Sequence, residues 1–286
     1  MKTLKAGIYV EDTYPGPTLG AILLPRGMIF IDTPLRPEDG QRWKSNLLNR
    51  SRGTIHRLLI CLDDHPDRTI GANGMNCPIL THREATHTLM DYSSIFRGQL
   101  PESGSIWEKY PETTGLQWVV PDISFTDRLK LHWGDKPTII EYHPGPRPGA
   151  SWVSIPSEKI IFIGDAAVTK GTPFLGKSNL PQWIDTLDYL LKSKFKDYKI
   201  ISSRGGEITQ DQIKEQKKTL RQILRKIEKI AGKDTPPDDA ADLADQYLDH
   251  FQFPKKDRNF FHQRLRQGIY QYYMKHYLSP DDNEDE

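Results

Sequence analysis

The chain has 286 residues, with 39 Lys and Arg against 38 Asp and Glu and a formal net charge of +1. That balance excludes a global field for nucleic acid or an anionic membrane, and leaves only local patches. A mean hydropathy of −0.63, with no apolar run near the roughly 20 residues that span a bilayer, points to a soluble protein large enough for a sizeable core.

Two cysteines, Cys61 and Cys77, are too few for a disulfide framework, and residues 1–7 lack the apolar segment of a secretory signal. A reducing, cytoplasmic location is therefore expected. Both thiols sit beside apolar runs and read as buried and inert.

In chain order, Gly7-Ile8-Tyr9-Val10 reads as a strand and Pro15-Gly16-Pro17 as a turn. Residues 19–24 and 27–32 read as a hairpin around Pro25-Arg26-Gly27. Residues 37–49 have polar helical character, and Pro37 suits a first helical position. The apolar run 58–62 is a buried strand, 71–76 a turn-rich stretch and 78–80 a short strand. Thr81 is placed to cap a helix carrying Glu84, Leu89 and Met90.

Four short β-rich runs come next, at 118–120, 123–125, 129–131 and 138–142, separated by Pro, Gly and Asp as a second sheet would be. Residues 144–149 form a stiff Pro-Gly loop. A hairpin of 152–155 and 159–163 ends at Gly164-Asp165, and is followed by a helix over 181–191 and a strand over 199–201. Thr209 and Gln212 have the spacing of a capping box. The helix behind them places Ile213, Leu220, Ile223, Leu224, Ile227 and Ile230 on one stripe. Its other face carries Lys214, Lys217, Lys218, Arg221, Arg225, Lys226 and Lys229. That face reads first as solvated, with a nucleic-acid contact as the alternative. Residues 233–238 read as a linker and 240–251 and 257–277 as helices. In the last of these, Phe261, Leu265, Ile269 and Tyr273 form a stripe that packs on the body or, alternatively, makes a dimer. The tail 281–286 is acidic and expected to be disordered.

The most informative stretch is Asp63-Asp64-His65-Pro66-Asp67-Arg68. A buried strand that empties into carboxylates and one imidazole looks like a metal or catalytic site. Each residue also has a plainer reading: Asp63, Asp64 and Asp165 as caps, His65 as a hydrogen-bonded strand-end histidine. The spacing resembles the His-x-His-x-Asp-His signature of the metallo-beta-lactamase superfamily, and the chain is similar to that superfamily from about residue 7 to residue 232. Met28-Ile29-Phe30-Ile31-Asp32-Thr33-Pro34 resembles its early strand ending in Asp-Thr-Gly. Residues 68–73 resemble the stretch after its motif aspartate, and Thr81-His82-Arg83-Glu84 its next strand-to-helix junction. Ile161-Phe162-Ile163-Gly164-Asp165 resembles the strand that delivers its bridging aspartate, and Ser202-Ser203-Arg204-Gly205 lies where the family has Pro-Gly-His-Gly.

The resemblance implies an α/β (α+β) fold: a four-layer αβ/βα sandwich over 1–232, followed by a helical extension over 233–286. It also implies where the metal ligands fall. The first motif histidine is here Asp63, the second stays His65, the aspartate stays Asp67 and the third histidine is Arg68. The loop histidine is Pro146, the bridging aspartate stays Asp165 and the last histidine is Arg204. Asp63, His65 and Asp165 would hold at most one ion, with Asp67 beside Arg68 and Arg204 in the other position.

Arginine has no lone pair to donate and stays protonated. A divalent ion about 4 Å from one guanidinium is opposed by about 8 kcal/mol at an effective dielectric near 20. The expectation is therefore that Arg68 and Arg204 replace metal charge, that no cofactor is held, and that the pocket takes an anion such as a carboxylate or phosphate. The alternative is a hydrolase of an ester, thioester or amide with one Zn, Mn or Fe ion on Asp63, His65 and Asp165 and Asp67 as general base. His143, three residues before Pro146, would join that site through a loop shift. Nucleic-acid processing ranks last, no membrane partner is expected, and the substrate is not fixed by the fold.

Overall fold

The structure is a computed structural model that describes residues 1–51, 56–92, 94–98, 105–233 and 235–278. The acidic tail 281–286 and one linker position, Asp234, lie outside the described residues.

Two mixed sheets form the centre. The first has seven strands in sequential order: β1 (Lys2–Lys5), β2 (Ile8–Glu11), β3 (Leu19–Leu24), β4 (Gly27–Ile31), β5 (His56–Ile60), β6 (Ile79–His82) and β7 (Ile123–Phe125). β1 to β4 pair antiparallel, and β4 to β7 pair parallel. The second sheet has six strands: β8 (Arg128–Leu131), β9 (Thr138–Tyr142), β10 (Ser151–Ile155), β11 (Ile160–Phe162), β12 (Lys199–Ser202) and β13 (Gly206–Ile208). Its only parallel pair among the described residues is β11 with β12.

Side-chain alternation along the strands divides the interior. Ile29 and Ile31 of β4 face Val153, Phe162 and Ile201 of the other sheet. Their neighbours Met28 and Phe30 point away, onto Trp43 and Leu47 of α1 (Pro37–Leu48). On the far side, Ile161 and Ile200 meet α4 (Leu180–Leu190) and α5 (Gln210–Ala231). The layers are thus helix, sheet, sheet, helix, as the resemblance implied. Two short helices lie between the first-sheet strands: α2 (Pro66–Thr69) after β5 and α3 (Arg83–Asp91) after β6. The C-terminal helices α6 (Pro237–Ala241), α7 (Leu243–Tyr247) and α8 (Arg258–Tyr273) share the α4–α5 core. Leu265, Ile269 and Tyr273 are buried there, so the aromatic stripe packs on the body. No helix among the described residues is long and apolar enough to cross a membrane.

Four sequence expectations change. Residues 118–120 form no strand; Trp118 packs with Phe96 and Trp107 in a small side cluster instead. β7 joins the first sheet, not the second. Thr81 lies inside β6, and the cap of α3 is the His82 ring, which accepts from the Glu84 amide at 3.2 Å. β1 and β13 were not anticipated because both are short edge strands without an apolar run.

The topology sets the site. The ends of β4, β5, β11 and β12 open toward one edge of the sandwich, where the residues beyond them are Asp32, residues 63–68, Asp165 and Arg204. This is the usual place for ligands in sheets with parallel strands.

Candidate functional site

α2 arranges the centre of the cluster. The His65 ring Nδ1 accepts from the Asp67 amide at 3.2 Å and Pro66 takes the first helical position, a favourable N-terminus. The turn this creates buries Asp67 and Arg68 completely. Arg68 then reaches three carboxylates from three strand ends. Its Nη1 donates to Asp32 Oδ2 at 3.0 Å. Its Nε lies 3.0 Å from Asp63 Oδ1 and its Nη2 2.7 Å from Asp165 Oδ1. The last two are ion pairs whose angles miss hydrogen-bond alignment.

The partners are fixed in turn. Asp32 sits at φ 59°, a conformation non-glycine residues seldom adopt. Its carboxylate accepts from the Leu62 amide at 2.9 Å and the Ser203 hydroxyl at 3.0 Å. Asp63 Oδ1 accepts from the His65 amide at 2.8 Å.

Arg204 forms the second centre. Its Nε donates to Asp165 Oδ2 at 3.0 Å and its Nη2 to Asp67 Oδ2 at 3.1 Å. Asp67 also accepts from the Trp107 amide at 3.0 Å.

Arg147, in the Pro-Gly loop, is the third. It holds Asp64 through two bonds of 2.5 and 2.6 Å, the forked geometry that makes such pairs strong. The loop is fixed by close approach: at Gly145, with φ +132°, a Cβ would stand 2.4 Å from Trp183 Cα.

The electrostatics come from this wiring. Five carboxylates, Asp32, Asp63, Asp64, Asp67 and Asp165, are buried at the centre. They meet the guanidiniums of Arg68, Arg147 and Arg204 and the Lys177 ammonium, 3.6 Å from Asp64, and the buried Arg264 guanidinium lies close enough to feel Asp67 and Asp165, so the formal charges cancel. Burial pushes these carboxyls up, and the guanidiniums decide which stay low. Arg147 outweighs burial at Asp64 and holds it at about 2. Arg204 and Arg68 likewise hold Asp165 far below the usual range. At Asp63 burial prevails over Arg68 and Arg147, and the carboxyl rises to about 6. Asp32 is also raised, by burial. His65 is pushed well below its ordinary value by burial and by Arg204 and Arg147, so it is a neutral acceptor. Arg264 is lowered to about 10 by burial and the neighbouring Arg204.

This donor set does not fit a divalent ion. Metal ligands need free lone pairs around a common centre. Here Asp63, Asp165 and Asp67 point theirs at guanidiniums, and His65 points Nδ1 at an amide. Among the described residues no group of three or more His, Cys, Asp or Glu is arranged to hold a metal. The His143 ring stacks on Trp152 with centroids 3.7 Å apart, and burial lowers it to about 3. Pro146 is buried in the loop beside it.

Sequence reasoning brought Asp63, His65, Asp67, Arg68, Asp165 and Arg204 to one place. It assigned no role to Asp32, Arg147, Ser203 or Arg264. Arg147 had a signal, lying one residue from Pro146. Arg264 had none, because it is carried on a helix whose visible pattern is an aromatic stripe.

The four-layer αβ/βα sandwich with a polar cluster at the ends of its strands has counterparts among solved structures. The sequence model of the metallo-beta-lactamase superfamily matches residues 76–202, a stretch that starts beyond residues 63–68 and includes Asp165. Solved structures agree on the fold. The stereoselective inverting sec-alkylsulfatase Pisa1 from Pseudomonas sp. superposes with a TM-score of 0.70 at 13% identity, covering 98% of this chain and 50% of that one. A metallo-beta-lactamase family protein from Thermus thermophilus gives 0.64 at 17% identity, covering 96% and 94%. A metallo-beta-lactamase from Pontibacter korlensis gives 0.56 at 15% identity, covering 77% and 97%. The chain spans about half the length of the alkylsulfatase structures it matches. No curated protein matches its sequence.

Proposed function

We propose that this chain is a metallo-beta-lactamase-fold protein in which arginines stand where relatives carry metal ions, and that it binds a small anion instead of running metal-dependent hydrolysis. The carrying observation is Arg68, fully buried and within 3.0 Å of Asp32, Asp63 and Asp165. A permanent cation in contact with three carboxylates neutralises the charge a metal would otherwise balance. Structural neighbours named as sulfatases and beta-lactamases make hydrolases its fold relatives; the departure lies in the donor set. The one-ion alternative on Asp63, His65 and Asp165 lacks support, since Asp63 and Asp165 face Arg68 and the Nδ1 of His65 faces an amide. On the basic face of α5, Lys217 and Arg221 pair with Asp188, and Lys214 with Asp211, which weakens a nucleic-acid role. Two free thiols, one buried and one half-buried, suit the cytoplasmic location we assign.

Elemental analysis of protein purified without chelator tests the proposal. The expected zinc, manganese and iron contents are far below one equivalent, and added zinc or manganese produces no ester, thioester or amide hydrolysis. One tightly held equivalent that Asp63→Ala removes is the opposite result and overturns it.

A further inference from the structure

A cavity of 160 Å³ lies against the outer side of Arg204. Its walls come from five parts of the chain: the β2–β3 loop at Thr18, the segment at Ile106, the loop after β11 at Lys170 and Thr172, the β12–β13 turn at Ser203 and Arg204, and α8 at Phe261 and Arg264. The backbone amide of Thr18 donates to the Ser203 carbonyl at 2.7 Å and joins two of these walls.

The cations here are held in place before anything binds. Arg264 is 3% exposed. Its Nε donates to the Thr172 carbonyl at 2.9 Å, and its guanidinium lies over the Phe174 ring at 5.4 Å. Arg204 is 9% exposed and uses Nε and Nη2 on Asp165 and Asp67. Its Nη1 has no acceptor among the described residues, and neither does the Thr18 hydroxyl. Lys170 stands exposed at the rim, with Asp12 also at the rim.

We propose that this cavity is a receptor for a tetrahedral oxyanion, phosphate or sulfate, either free or as the end group of a small ester. The inference rests on the metal-free reading and adds the ligand class and the residues that select it. Donors approach from more than two directions: Arg204 Nη1 from the floor, Thr18 from one wall, Lys170 from the rim, with the buried Arg264 guanidinium adding positive charge beside them. A flat carboxylate engages two oxygens, whereas a tetrahedral group presents three or four to such an array, each contact being a charge-assisted bond in a partly desolvated space. Phe261 offers an apolar wall for the ester substituent. Arg264 belongs to α8, so the C-terminal helices complete the receptor.

The test is calorimetric titration of the full-length, chelator-treated chain with inorganic phosphate, sulfate and phenyl phosphate in low-ionic-strength chloride buffer. The expected result is saturable one-to-one binding, weakened about tenfold or more by Lys170→Glu and by Arg264→Gln. Tighter binding of phenyl phosphate identifies an ester as the ligand, and tighter binding of inorganic phosphate a free ion. Lys170 is on the surface, so its variant decides the matter if Arg264→Gln fails to fold. Absence of saturable binding, or wild-type affinity in Lys170→Glu, overturns the receptor while leaving the metal-free reading intact. Should untreated protein carry metal and lose phosphate affinity on chelation, the metal-free reading itself falls.

Discussion

Asp64 and Arg147 are joined by two aligned bonds with both side chains buried, so their contribution to stability has a definite pH signature. The folded Asp64 pKa, held at about 2 by Arg147 against burial, lies below the ordinary value near 3.9 for an unfolded chain. A depressed carboxyl stabilises the fold above the unfolded pKa and loses that contribution as pH falls through the folded one. A shift of that size corresponds to about 2–3 kcal/mol. Asp64→Asn should therefore be less stable than wild type by at least about 2 kcal/mol at pH 7, because Arg147 is also left uncompensated. Urea midpoints at pH 7 and pH 3 should show the gap narrowing in acid; a gap independent of pH contradicts the assignment. The residues of this cluster were legible in the sequence where a motif position marked them, as at His65 and Asp67. Their partners were not, because Asp64 and Arg147 are 83 residues apart and Arg204 and Asp67 are 137 apart, separations that only the folded sheet order brings together.

Among the α-helices, α2 is the shortest and the one on which the cluster depends. Its cap is the neutral imidazole of His65. A capping role and a metal-ligand role make different predictions at this position. Asparagine offers a side-chain oxygen for the same amide, whereas alanine offers none. His65→Asn should retain wild-type stability within a few tenths of a kcal/mol, and His65→Ala should lose about 1 kcal/mol. Equal losses in both variants, restored by adding zinc, would identify a ligand instead. Elements with a local signal were readable in advance: the Thr209–Gln212 capping box of α5 is present with both of its bonds, and Pro37 occupies the start of α1. The elements missed were those without one. β1 and β13 are held by their neighbours at the sheet edges, and in 118–120, apolar enough for a strand, Trp118 turns instead to the aromatic rings of Phe96 and Trp107.

For the whole molecule, the question is whether the C-terminal helices are an appendage to residues 1–232 or part of the same folding unit. The sequence placed a boundary at the Lys233–Asp238 linker on composition alone. Leu265, Ile269, Tyr272 and Tyr273 are each at most 2% exposed, in one cluster with Leu220, Ile223 and Ile227 of α5. Removing the helices would bare those α5 side chains and the α4 residues beside them. At about 1.5–3 kcal/mol for each fully buried large side chain, three or four newly exposed residues amount to roughly the 5–15 kcal/mol that holds a typical domain together. Arg264 would also be lost, and with it one of the cations balancing the buried carboxylates. A chain ending at residue 232 should therefore aggregate, or bind an apolar dye and unfold without a sharp transition, while the full chain melts in one cooperative step. A soluble 1–232 fragment with the melting temperature of the full chain would show instead that the sandwich is complete by itself and that α6–α8 are attached to it without supporting it.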